Sequence, residues 1–204
     1  ENPLILDLCA GSGCIGITFA REREDSRVLM VEKFDEAITY TEKNVYKNDA
    51  PNTAILKGDI FESAGADEKY DLIVSNPPYF INSLKAPENS RNTARHTDEL
   101  SFQDLAHSAS KLLSLDGKFS VIIPYSSEKE FISIAKEENL QVEAVVHVIP
   151  KVGKEIKRSA ITFCKSEKNE DCNINVTQLL IETENRHYYS EEFKRLTADF
   201  YLKH

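Results

Sequence analysis

Asn76-Pro77-Pro78-Tyr79 is the group in this chain most suited to chemistry. It follows Tyr70-Asp71-Leu72-Ile73-Val74-Ser75, a short apolar run that reads as a buried strand. Neither proline has an N–H to donate, so the strand stops rigidly at Asn76. A polar amide, fixed carbonyls and an aromatic ring then meet at the C-terminal edge of a sheet, where open α/β folds bind ligands. The set suits a planar substrate that bears an NH₂ group. The Asn76 side-chain oxygen and the Pro77 carbonyl can accept its two hydrogens, and Tyr79 can stack on its face. The plain alternative is a Pro-Pro turn that only ends a strand.

A second group lies upstream. The first strand runs into Leu6-Asp7-Leu8-Cys9-Ala10-Gly11-Ser12-Gly13-Cys14-Ile15-Gly16, and Glu32 follows Gly13 by nineteen residues. Formally this is a Gly-x-Gly-x-x-Gly loop with an acid at the end of strand two, open to either NAD or S-adenosylmethionine (SAM). Asp7 favours the second. A carboxylate beside the loop repels a pyrophosphate and attracts an ammonium and a sulfonium. Glu32 can accept from both ribose hydroxyls, Asp59 from an adenine amine, and Phe34 and Ile60 can sandwich the adenine. Taken alone, Asp59 in Gly58-Asp59 is as well read as a turn residue. As a series, one polar group falls after each of the first four strands.

The elements that must position these residues alternate. Strands are expected over residues 4–8, 27–32, 54–57, 70–75 and 118–123, with helices over 14–24, 35–47, 101–113 and 126–138. Strands over 141–148 and 159–164 have no helix between them and are expected to pair antiparallel. The pattern predicts an α/β fold of the Rossmann-like class, a seven-stranded, mostly parallel sheet with an antiparallel last strand. Residues 174–181 are a candidate eighth strand, and a terminal helix is expected over 190–202. Residues 80–100 form the longest irregular stretch, a length usually tied to function or motion.

The chain has 204 residues, 41% hydrophobic and 29% charged, which suits one domain with a full core. It opens Glu1-Asn2-Pro3 without a Met, so an N-terminal segment is expected to be missing. There is no signal-peptide pattern and no apolar run long enough to cross a membrane. Cys9, Cys14, Cys164 and Cys172 form no Cys-x-x-Cys pair, so they read as free thiols of a cytoplasmic protein and no metal is expected. The net charge of −9 argues against a nonspecific nucleic-acid binder. Two local basic groups run against that balance: Lys85, Arg91, Arg95 and His96, and Lys151, Lys154, Lys157, Arg158 and Lys165. Each is a candidate phosphate-binding surface or simply a solvated face.

These motifs together resemble a class I SAM-dependent methyltransferase. More narrowly, the chain resembles the bacterial tRNA(Val) adenine-37 N6-methyltransferase family over nearly its whole length. The broad signals are residues 7–13 and Ser75-Asn76-Pro77-Pro78-Tyr79-Phe80. The narrower ones are Arg91-Asn92-Thr93-Ala94-Arg95-His96-Thr97 and the tail over residues 189–202. The resemblance also implies a basic segment ahead of strand one, which is expected to be the part missing here. It implies methyl transfer from SAM to adenine N6 beside a tRNA anticodon. Asn76, Pro77 and Tyr79 would act at the target base, helped by Phe80, and Arg91, Arg95, Lys154 and Arg158 would hold phosphates. A monomer is the expected state. Rival readings are a release-factor glutamine methyltransferase, an NAD-dependent oxidoreductase and a noncatalytic RNA-binding module on the same fold.

Overall fold

The computed structural model describes residues 2–58, 68–78, 100–166, 174–185 and 187–199. In chain order the elements are β1 (Leu4–Leu8), α1 (Cys14–Glu22), β2 (Arg27–Glu32), α2 (Asp35–Lys47), β3 (Thr53–Lys57) and β4 (Tyr70–Ser75). They continue with α3 (Phe102–Leu112), β5 (Leu113–Pro124), a 3₁₀ turn (Tyr125–Ser127), α4 (Glu128–Glu137), β6 (Leu140–Lys151), β7 (Arg158–Lys165), β8 (Asn175–Glu182) and α5 (Glu191–Thr197).

One sheet holds all the strands in the order β3-β2-β1-β4-β5-β7-β6-β8. Each pairing is parallel except those of β7, which runs antiparallel to both β5 and β6. The expected α/β class is therefore observed, with eight strands among the described residues where seven were expected. The candidate strand near residue 174 is the eighth, and it lies parallel to β6. β6 and β7 form the expected antiparallel pair, and the short loop between them leaves no other choice.

Period-two alternation sends neighbouring residues to opposite faces. On β1, Ile5 packs with Ile17, Ala20, Val28 and Met30 under α1, whereas Leu6 and Leu8 pack on the other face with residues of α3 and α4. Phe102, Phe119, Phe131 and Phe163 make the centre of that second core, with ring centroids 5.0–6.3 Å apart. Such ring pairs add about 0.5–1.5 kcal/mol each beyond the area they bury.

Local signals set the ends of the elements. Ser101 caps α3 by accepting from the Asp104 N–H at 3.0 Å, and Asp104 accepts from the Ser101 N–H in return. Asp116-Gly117 bulges out of β5, where the register with β4 jumps from Tyr70↔Leu113 to Leu72↔Lys118. The helix expected from residue 126 starts later, at Glu128, because the chain first makes the 3₁₀ turn after Pro124. α5 covers Glu191–Thr197, and the end of the expected terminal helix lies outside the described residues.

Candidate functional site

The parallel strands end at one edge, and the loops there gather the candidate residues. After β1 the backbone turns sharply: Cys9, Gly11 and Gly13 all take positive φ, at 61°, 58° and 79°. The two glycines relieve the strain, whereas Cys9 bears it. The three glycines have different tasks. A Cβ on Gly13 would lie 2.7 Å from Thr41 Cγ2, and one on Gly16 would lie 2.6 Å from Met30 Cγ. Gly13 is small because α2 comes close to the loop, and Gly16 because α1 lies tightly against Met30 of β2. A Cβ on Gly11 would meet nothing within 4 Å, so that face of the loop opens onto space a ligand can fill.

α2 fixes the loop. Thr41 donates to the Gly11 carbonyl at 2.7 Å and Asn44 Nδ2 donates to the Ser12 carbonyl at 2.9 Å. Sequence reading missed both. The available signal was two weak helix formers three residues apart on one helix face.

Asp7 is buried beneath the loop. Its Oδ2 accepts from the Gly16 N–H at 2.8 Å, and its Oδ1 has no hydrogen-bond partner. Burial pushes its pKa up to about 7; the Gly16 N–H opposes the shift and the Glu32 charge adds to it. Because Oδ1 is sealed from solvent, Asp7 can act on a ligand only through its field. That field suits a cation, and a bound cation would hold Asp7 ionised.

Glu32 closes the end of β2. Its Oε2 accepts from the Gly11 N–H at 2.8 Å, and its Oε1 accepts from the Lys33 and Phe34 N–H groups at 2.9 Å each. Three backbone donors leave one of about four lone-pair positions on the carboxylate. The Glu32 side chain thus joins the glycine loop to the Phe34 turn, and Phe34 stands 62% exposed at the head of α2.

β4 brings Asn76 beside this loop. Leu8 and Ser75 are register partners, and the Ser75 hydroxyl donates to the Leu8 carbonyl at 2.8 Å. Asn76 follows and is exposed, Pro77 is buried and Pro78 is exposed. Asp7, Gly11, Gly13, Glu32, Phe34, Asn76 and Pro77 therefore meet at one edge. Asp59, Ile60, Tyr79, Phe80, Arg91 and Arg95 lie outside the described residues.

The β6–β7 loop reaches the same edge. Arg158 pairs with Pro124 at the end of β5, and the Lys157 carbonyl accepts from the Tyr125 N–H at 3.1 Å. Lys154 is exposed on this loop and Arg158 is half-buried. Among the described residues, no group of three or more His, Cys, Asp or Glu is arranged to hold a metal, and no helix is long and apolar enough to cross a membrane.

Comparisons with known proteins bear on the family and the fold. Residues 2–133 match the family described as methyltransferase small domain. A protein of Parabacteroides distasonis named tRNA1(Val) (adenine(37)-N6)-methyltransferase is 37% identical over 98% of this chain and 83% of its own length. Proteins of the same name from Bacteroides fragilis and Phocaeicola vulgatus are 36% and 37% identical, over 100% and 97% of this chain and 84% and 82% of theirs. Among solved structures, a predicted O-methyltransferase from Agrobacterium tumefaciens superposes with a TM-score of 0.73 at 20% identity, covering 97% of this chain and 89% of that one. A putative RNA methyltransferase from Pyrococcus horikoshii gives 0.60 at 17% identity, covering 83% and 76%. At these identities the structures speak for the fold alone.

Proposed function

The chain belongs to the methyltransferase small domain family and, within it, to the tRNA1(Val) (adenine(37)-N6)-methyltransferases, and we propose that it methylates N6 of adenine 37 in tRNA-Val. SAM supplies the methyl group on a sulfonium, which leaves as a neutral thioether. Asp7, Gly11, Gly13, Glu32 and Phe34, with Asp59 and Ile60, hold the cofactor. Asp7 contributes negative potential under the loop, Gly11 leaves space, and Glu32 offers its remaining lone pair to a ribose hydroxyl.

Adenine N6 is a poor nucleophile because its lone pair delocalises into the ring. The Asn76 Oδ1 and the Pro77 carbonyl accept its two hydrogens, which fixes the amine and turns the lone pair toward the methyl group. Positioning of this kind supplies much of the rate in a direct displacement. Tyr79 stacks on the base, and Phe80 widens that platform. The proton that N6 loses passes to water, so no dedicated base is required. A base in the anticodon loop is already single-stranded, so extruding it costs little. Lys154, Arg158, Arg91 and Arg95 hold phosphates around the mouth. A tRNA substrate puts the enzyme in the cytoplasm.

The observation that carries this reading is the juxtaposition at the β1 and β4 ends. An exposed amide follows Ser75, which is hydrogen-bonded to Leu8, three residues before Gly11 of the glycine loop. The test is incubation with methyl-labelled SAM and total tRNA, then digestion to nucleosides. Label in N6-methyladenosine is the expected result. Label found only on a release-factor glutamine offered in the same reaction would replace this reading.

A further inference from the structure

Beyond Asn76 the sheet edge carries a side-chain cluster that the reaction above does not use. His147 on β6 and Ser159 on β7 are register partners, and both reach Glu128 at the start of α4. His147 Nε2 lies 2.8 Å from Glu128 Oε2, and the Ser159 hydroxyl donates to the same oxygen. The His147 and Glu128 side chains are only 14% and 16% exposed. Against His147 stands Tyr125, with ring centroids 5.2 Å apart and planes at 83°. Tyr125 keeps 42% of its surface in solvent.

We propose that Tyr125 is a stacking platform for a nucleobase that flanks the methylated adenine, with the His147–Glu128–Ser159 network holding its ring; this rests on the RNA reading above. Three observations support it. The first is place. Ser75 is level with Val121, so Tyr125 lies four positions beyond that level and Asn76 one, a separation of roughly 10 Å along the strand direction. That suits a neighbouring nucleotide. The second is pre-organisation. The Tyr125 N–H is bonded to the Lys157 carbonyl, and Pro124 fixes the backbone before it. The residue is thus held through its backbone and by the His147 ring, so little freedom is lost when a base stacks. The third is company. The same loop exposes Lys154 and Lys157, and an aromatic face beside exposed cations is how single-stranded nucleic acid is bound. The loop also carries the exposed Glu155, so its charge is not purely basic.

The probe is a tRNA-Val anticodon stem-loop with 2-aminopurine placed singly at position 36 or 38. Binding to the wild-type protein quenches one of these fluorophores. Tyr125→Ala abolishes that quench and raises KM for the RNA about tenfold, the size of one lost base–aromatic stack, while kcat falls by less. Tyr125→Phe keeps both quench and KM, because stacking needs the ring and not the hydroxyl. Tyr46→Ala, at a tyrosine 88% exposed on α2, changes neither. Affinity for S-adenosylhomocysteine and the melting temperature report that Tyr125→Ala is folded. Methylation with KM and quench unmoved in Tyr125→Ala overturns the platform alone, as does Tyr125→Phe behaving like Tyr125→Ala. No methylation of RNA by the wild type overturns the RNA reading and the platform with it.

Discussion

From β1 to β3 the sheet edge is built of backbone and buried acid. From β4 to β7 it is built of side chains that face solvent. In the first region Glu32 accepts from three backbone N–H groups, Asp7 lies sealed beneath Gly16, and α2 holds the glycine loop by Thr41 and Asn44. In the second, Asn76, Tyr125 and Lys154 stand exposed at the ends of different elements. A region that binds one small cofactor gains from a shape set by the chain itself. A region that receives a larger, charged partner needs exposed groups. Changes in the first region should therefore act on stability and cofactor affinity together, whereas changes in the second should act on transfer or RNA affinity with little effect on stability.

The largest effect is expected at Asn76. Asn76→Ala should lower the rate of transfer by about 10²–10³, as when one positioned hydrogen-bonding group is lost at a reacting centre. Calorimetry should find affinity for S-adenosylhomocysteine within a few-fold of wild type. A large loss of that affinity would erase the division between the regions.

Gly13→Ala tests the opposite side. Its φ of 79° and a Cβ only 2.7 Å from Thr41 Cγ2 add strain to overpacking, on the order of 3 kcal/mol by urea unfolding. Gly11→Ala should cost only about 1–2 kcal/mol, since its φ of 58° is strained but the space is open. Its loss of cofactor affinity should nevertheless match or exceed that of Gly13→Ala.

Asp7 gives a pH signature. Its pKa is about 7 in the folded chain against an ordinary 3.8, so the folded state binds more protons between these values. Stability then falls as pH rises across this window, by about 2 kcal/mol between roughly pH 5.5 and pH 8. Asp7→Asn should remove this component, which urea titrations of both proteins at the two pH values would detect. Affinity for S-adenosylhomocysteine should run the other way, tightening as Asp7 ionises through pH 7 in the wild type but not in Asp7→Asn.

The smallest effect is expected on the basic loop. Lys154→Ala should raise KM for tRNA a few-fold and flatten the log–log salt dependence of binding by about one unit. An unchanged salt slope would make Lys154 a solvated charge and nothing more.

The two regions also differ in how much of them can be read from sequence. The glycine loop, Asp7 and Glu32 are legible because strand period and glycine spacing are local properties. Asn76 is legible because two prolines end its strand. Thr41 and Asn44 are not, since their bonds to the loop span about thirty residues of chain. The Glu128–His147–Ser159 network is less legible still, because it joins three elements that meet only once β7 inserts between β5 and β6. The same insertion carries the basic β6–β7 loop to the Asn76 edge. The late start of α4 is a local matter: Pro124 favours an extended backbone and then a tight turn before the helix.

Two tRNA-Val transcripts that differ only at position 37, one with adenine and one with guanine, put the account to its sharpest test. Each is incubated with this protein and SAM, then digested for nucleoside mass spectrometry. N6-methyladenosine is expected in the adenine-37 transcript and none in the guanine-37 transcript, and Asn76→Ala should form it on the adenine-37 transcript about 10²–10³ times more slowly. Equal methylation of both transcripts, or full activity of Asn76→Ala, would contradict it.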